Sequence, residues 1–245
     1  MSTINAPSGI EVVSEQRPAK RVALLLGILV AFAPLLTFAF VGEWLGDGTV
    51  IGAMLTNLAY VMSILSATAV LKWFGSGWRE IGLARPASWP KTMLLGVGVM
   101  VGSLIAALIL QAVLQNLLAP EMAPADRSNF NPMTGNLPLF LLMLVVAWTT
   151  AAFGEEMMWR AFLINSLAGF FPHSRTRWAL ALVSSSLFFG LAHSSNGLAA
   201  VAETAIIGLF IGFVYLRTGR NLWVTIIAHG LLDTLAFVLI YSGAA

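Results

Sequence analysis

The sequence contains no cysteine and very little charge. Without cysteine among its 245 residues, the chain can form no disulfide framework, thiolate nucleophile or zinc–thiolate site, and cysteine usage says nothing about compartment. Charged residues make up 10% of the chain, 13 basic and 11 acidic, against roughly 25% in an ordinary soluble domain. That is too few to cover a soluble particle of this size, which excludes a water-soluble enzyme, a nucleic-acid-binding protein and a disordered chain. The net charge of +2 is too small to signal nucleic acid; where the basic residues fall matters more than their sum. Apolar side chains are what the chain has in excess, 58% counting AVILMFWYC.

These residues lie in runs. A helix needs about 20 apolar residues to cross a bilayer, and seven stretches approach or exceed that length: 22–41, 50–71, 92–118, 138–163, 177–194, 198–216 and 222–241. Only Ser194, Ser195, Asn196 and Gly197 separate the fifth from the sixth. Continuous runs, rather than period-two alternation, argue for helices over a closed barrel. The fold class is therefore all-α, a polytopic transmembrane bundle of about seven helices. It divides into an N-terminal tail (1–21), three helices (22–118) and a core (137–241). The first run is longer than a signal-peptide core and ends Phe38-Ala39-Phe40-Val41 without a clear cleavage site, which predicts a retained anchor.

Basic residues mark alternate connections: Arg17, Lys20 and Arg21; Lys72, Arg79, Arg85 and Lys91; Arg175 and Arg177; Arg217 and Arg220. The opposite connections hold Glu43, Asp47, Glu121, Asp126 and a single basic residue, Arg127. This asymmetry predicts a cytoplasmic N-terminus and, with seven spans, an external C-terminus. Trp44, Trp73, Trp78, Trp89, Trp178 and Trp223 fall at segment ends, where amphipathic rings favour the headgroup layer. The 72–91 connection is expected to lie along the cytoplasmic surface. Gly98 and Gly102 form a GxxxG, a pattern that predicts a close helix contact.

An ionisable group near the bilayer centre costs at least about 2.5–3.5 kcal/mol on insertion scales, so each one calls for a reason. The first three segments have none. The fourth carries Glu155, Glu156 and Arg160, the fifth ends at His193, and the seventh contains His229 and Asp233. Glu156 and Arg160 are four residues apart, acid first, the favoured order for an ion pair. Glu155 points about 100° away and is left free to serve as a general base. His229 and Asp233 also share a helix face. Phe189, one turn before His193, is expected to pack on its imidazole, and Glu203, near an external helix end, is expected to be solvated.

Taken in order on apolar helices, EExxxR (Glu155, Glu156, Arg160), FxxxH (Phe189, His193) and HxxxD (His229, Asp233) resemble the CPBP intramembrane proteases. That family includes the type II CAAX prenyl endopeptidases and the bacterial Abi proteins linked to bacteriocin self-immunity. The resemblance covers roughly 137–241. It implies an intramembrane endopeptidase in which Glu155 and His193 activate water. His229 and the residue four positions on would stabilise the oxyanion, while Glu156 and Arg160, with Phe189, brace the site. The family often has Asn where this chain has Asp233, so Asp233 must be protonated, orient His229 or bind a metal. Metal dependence stays open: Glu155, His193 and His229 could hold Zn2+, HExxH is absent, and a metal-free glutamate mechanism competes. The expected partners are a membrane-associated protein or peptide substrate, prenylated CAAX-type tails among them, and the lipid bilayer, expected to be a bacterial inner membrane. No nucleic acid is expected, and the oligomeric state is not legible.

Two other readings fit the same residues. The polar cluster could be helix glue in an inactive scaffold or immunity-type protein, or a relay in an ion-coupled transporter. The charge-free first half has no counterpart to the second, which counts against a transporter built from repeats.

Overall fold

A computed structural model of the chain describes residues 18–45, 50–118, 123–171 and 176–244. Most of the N-terminal tail, Asp47, Glu121 and the Pro172 break lie outside the described residues. Among those described, every regular element is helical, as expected of backbone that must satisfy its own hydrogen bonds in lipid. The main helices are α1 (Pro18–Leu45), α2 (Val50–Trp73), α3 (Trp89–Val113), α4 (Leu137–Phe170), α5 (Arg177–Leu191), α6 (Leu198–Arg217) and α7 (Leu222–Ser242). Their starts are chemically marked. Ser88 caps the Lys91 N–H with Pro90 in the first turn of α3, Asn136 caps Leu139 with Pro138 in that of α4, and Asn221 caps Trp223.

Six of these helices are long and apolar enough to cross a membrane, and the polytopic helical bundle read from the sequence is borne out. Two lengths differ from expectation. The fifth segment stops at Leu191 after 15 residues, about 22 Å at the α-helical rise, because the polar run after His193 closes into a short 3-10 turn, Ser194–Asn196. The fourth continues past 163 to Phe170, 34 residues in all. Its last turns hold Asn165 and Ser166 fully buried, so protein rather than lipid surrounds them.

Successive helices alternate direction. At one end the basic 72–91 segment meets the α6–α7 turn, where the Trp223 indole donates to the Ala84 carbonyl at 3.1 Å. At the other end the Asp126 N–H donates to the Asn196 carbonyl and the Gly135 N–H to that of Tyr241. The core sits around the second half of α4, with Met158, Ala161 and Phe162 fully buried. There Phe32 of α1 meets Trp159 edge-on at 4.9 Å. Helix α3 lies outside, presenting Leu94, Val101 and Leu108 outward.

The 72–91 connection is more deeply seated than a surface loop. Ile81 is fully buried, its carbonyl accepts from the Tyr215 hydroxyl at 2.6 Å, and Gly82 takes φ +118 directly beneath the Arg220 carbonyl, 2.3 Å from where a Cβ would stand. The GxxxG reading holds by half. A Cβ on Gly102 would stand 2.7 Å from the Phe210 ring, whereas Gly98 faces open space; the second close approach is at Gly96, against Ile227.

Within the α5–α6 hairpin, a Cβ on Gly190 would stand 2.6 Å from the Val201 carbonyl oxygen, and backbone cannot move aside as a side chain can. Gly190→Ala is expected to cost about 1–3 kcal/mol through overpacking, read as a drop of several degrees in the thermal unfolding midpoint in detergent. Gly98→Ala, at the open position, is expected to leave that midpoint unchanged or slightly raised. Equal midpoints for the two variants would contradict the packing described.

Candidate active site

The middle of α4, Ala147–Leu163, is wound as a π-helix, a rare geometry that recurs at functional sites. Adjacent residues on a regular α-helix diverge by about 100°; wider winding narrows that angle. The result here is that two consecutive carboxylates reach one imidazole. His229, on α7, places Nδ1 2.9 Å from Glu156 Oε1 and Nε2 4.0 Å from Glu155 Oε2. An ionised carboxylate only accepts, so Nδ1–H donates to Glu156 and Nε2 is left facing Glu155 and Asp233. Asp233, one turn along α7, holds Oδ2 3.7 Å from Nε2, an ion-pair separation rather than a hydrogen bond.

Glu156 and Arg160 form a buried ion pair, Nη1 to Oε1 at 3.1 Å, with side chains 0% and 2% exposed. The guanidinium lies over the Phe189 ring, 4.3 Å from its centroid, a desolvated cation–π contact. Phe189 in turn meets His193 edge-on at 4.8 Å, and a Cβ on Gly208 of α6 would touch the same ring at 3.0 Å. His193 sits just past the end of α5, where its Nδ1–H donates to the Phe189 carbonyl at 2.8 Å, so Nε2 is the nitrogen left for other chemistry.

The sequence-predicted residues therefore do not all meet in the same way. Glu155, Glu156, Arg160, His229 and Asp233 form one contiguous group. His193 lies within electrostatic range of Asp233, but no hydrogen bond or ion pair joins it to Glu155 among the described residues. An antiparallel hairpin of two regular helices would set Glu155 and His193 at similar depth and facing each other, but α5 ends at Leu191, before His193. In the possible metal set both histidine Nδ1 atoms donate to protein oxygens, the usual arrangement of a metal-ligating imidazole, which leaves their Nε2 atoms available. Among the described residues no three His, Asp or Glu side chains are grouped to hold an ion. Glu203, expected to be solvated, is partly exposed and pairs with Arg127 at 3.0 Å.

Helix α2 contributes residues that sequence reasoning missed. The Tyr60 ring packs where a Cβ on Gly154 would stand 3.3 Å from it, its phenol neighbours Glu155 and Trp159, and Thr150 hydrogen-bonds to Asn57. These groups are uncharged, so a search for ionisable residues passed over them. The signal available was Asn57 and Tyr60 three apart on one face of a span whose other polar residues before Lys72 are small hydroxyls. From α4 itself, the Trp148 indole donates to Thr234 at 3.1 Å, and a Cβ on Gly230, beside His229, would stand 2.7 Å from the Trp148 ring.

Residues 137–235 match the family model described as type II CAAX prenyl endopeptidase Rce1-like. The Rce1-like segment begins where α4 begins and ends just past Asp233, so it holds every residue of the three motifs, and the family resemblance they suggested is borne out. Helices α1 to α3 lie outside it. The chain is also similar to CAAX prenyl protease 2 of Saccharomyces cerevisiae, 30% identical over 101 residues, which cover 34% of this chain and 32% of that protein. The chain thus spans about a third of the length of this curated relative. No solved structure matches.

The two glutamates should separate on stability. Glu156→Gln leaves Arg160 buried without its counter-charge, and breaking a buried pair costs about 3–5 kcal/mol; the expected outcome is a large fall in the thermal midpoint. Glu155, with no such partner and a side chain 14% exposed, should tolerate Gln within about 1 kcal/mol. Similar losses for both would mean that the two carboxylates share one structural role.

Proposed function

We propose that this integral membrane protein is an endopeptidase that hydrolyses peptide bonds of membrane-associated substrates, prenylated CAAX-type tails among them, with Glu155 as general base. The observation that carries the reading is the sharing of one imidazole by two neighbouring carboxylates inside a membrane-spanning helix. Glu156 is already neutralised by Arg160, so stability alone gives no reason for a second carboxylate and a second ionisable helix at the same point. Their cost in a bilayer is explained by chemistry. The Rce1-like match over the same residues supports it.

In this reading a water bound at Glu155 loses a proton to that carboxylate as it attacks the substrate carbonyl carbon. His229, protonated on both nitrogens, donates Nε2–H into the same space to the oxyanion that develops, while the Nδ1–H bond to Glu156 fixes the plane of the ring. An ionised Asp233 would repel an oxyanion, so its role falls on His229, whose Nε2 it helps to orient. His193, held by its Nδ1 bond to Phe189, presents Nε2 as the second partner of the water or of the leaving amine. Glu155 then returns its proton to the amine. The basic end of the bundle faces the cytoplasm, with the N-terminus on that side.

The test is proteolysis by purified protein on a peptide library that includes prenylated CAAX tails. Glu155→Ala is expected to lose activity by about 10²–10⁴-fold, the usual contribution of a general base, with an unchanged unfolding midpoint; full activity in that variant would sink the mechanism. Wild-type protein inactive on every membrane peptide tested would favour the scaffold. A chelator is expected to leave the rate unchanged, and loss restored by added Zn2+ would overturn the metal-free route.

A further inference from the structure

A cleft of about 300 Å³ opens at the basic end of the bundle, between the Arg79–Leu83 turn with the residues after it and the α6–α7 turn. Three guanidiniums line it: Arg79, Arg85 and Arg220. None of them is paired with a carboxylate among the described residues, and Glu80 is the sole acid in the lining. Three guanidiniums against one carboxylate around one concavity leave an unfilled electrostatic demand.

The walls are fixed before any ligand arrives. Gly82 passes under the Arg220 carbonyl, Tyr215 bonds the Ile81 carbonyl, and Asn221 reaches Thr92 on α3 at 3.2 Å. Arg220 itself is held at φ +65. Its Nη1 donates to Asn165 at 2.8 Å, and its guanidinium stands 5.7 Å from the Trp178 ring centroid. Arg79 and Arg85 remain exposed at the rim. The cleft lies at the level where α2 and α6 end and α3 and α7 begin. Trp73 is exposed there and Trp89 packs edge-on with Trp223 at 5.3 Å, as aromatic rings do at the headgroup layer.

We propose that this cleft binds the phosphodiester headgroup of an anionic phospholipid, with Arg79 and Arg85 closing on a phosphate that Arg220 anchors from behind. Guanidinium suits phosphate through paired N–H donors, and basic pockets between transmembrane helices are a known way to hold acidic headgroups. The headgroup-level position selects a lipid over a free anion. The site is separate from the Glu155–His229 group and does not depend on the activity proposed for it.

The test uses full-length protein in neutral detergent, titrated with short-chain phosphatidylglycerol, phosphatidylcholine or inorganic phosphate and followed by thermal unfolding and native mass spectrometry. Phosphatidylglycerol is expected to raise the unfolding midpoint and to remain bound, phosphatidylcholine and phosphate to do neither. Arg79→Ala with Arg85→Ala is expected to weaken phosphatidylglycerol binding by about tenfold or more, at about 1 kcal/mol per basic residue near the surface. Lys72→Ala with Lys91→Ala, at the same end but outside the cleft, is expected to leave it within about twofold. Equal response to both lipids, equal loss in the two double variants, or saturation by inorganic phosphate alone would each overturn the proposal. Should the arginine pair fail to fold, Arg85→Gln alone carries the same comparison.

Discussion

A carboxylate and a guanidinium shut away from both water and lipid hold the second half of this protein in place. Glu156 and Arg160 are buried together on α4, and neither could remain charged there alone. Their remaining capacity reaches outward to other helices: Glu156 takes the Nδ1–H of His229 on α7, and Arg160 lies on Phe189 of α5. Because Phe189 bears on His193 and on α6 at Gly208, a single buried pair sets the relative positions of four helices. The positions of Glu155 and His193 follow from it, since one is the neighbour of Glu156 and the other is tied to the backbone of Phe189.

How much of this could be read from the residues depended on whether the signal was carried by charge. Apolar runs announced the bundle, since the bilayer permits few alternatives, and basic residues fell at the end where the connections do gather. The i, i+4 spacing of Glu156 with Arg160 and of His229 with Asp233 implied shared faces, and those contacts are present. What stayed hidden was backbone geometry. The π-wound centre of α4 lets Glu155 and Glu156 reach the same ring, yet its sequence is an ordinary helical one. The early end of α5 followed from a four-residue polar run too short to outweigh the apolar residues before it in any window count. Uncharged polar partners were missed for a similar reason: Asn57, Tyr60 and Thr234 carry no cost large enough to mark them, although they fix the walls around the ionisable group.

The two halves of the chain accordingly differ in kind. The Rce1-like segment contains the ionisable cluster and the helices that organise it, whereas α1 to α3 contribute packing and neutral hydrogen bonds. Helix α2 is the exception that connects them. Through Asn57 and Tyr60 it backs the stretch of α4 that carries Glu155.

The shortness of α5 has a further consequence for the surrounding membrane. Its outer face carries Leu180, Val183, Leu187 and Phe188 exposed to lipid. At about 22 Å that face falls several ångströms short of a hydrocarbon core about 30 Å thick. Lipid beside it must thin to match, as bilayers do around a short hydrophobic span. His193 and the Ser194–Asn196 turn stand where α5 stops, so thinning at that end brings the headgroup layer toward them.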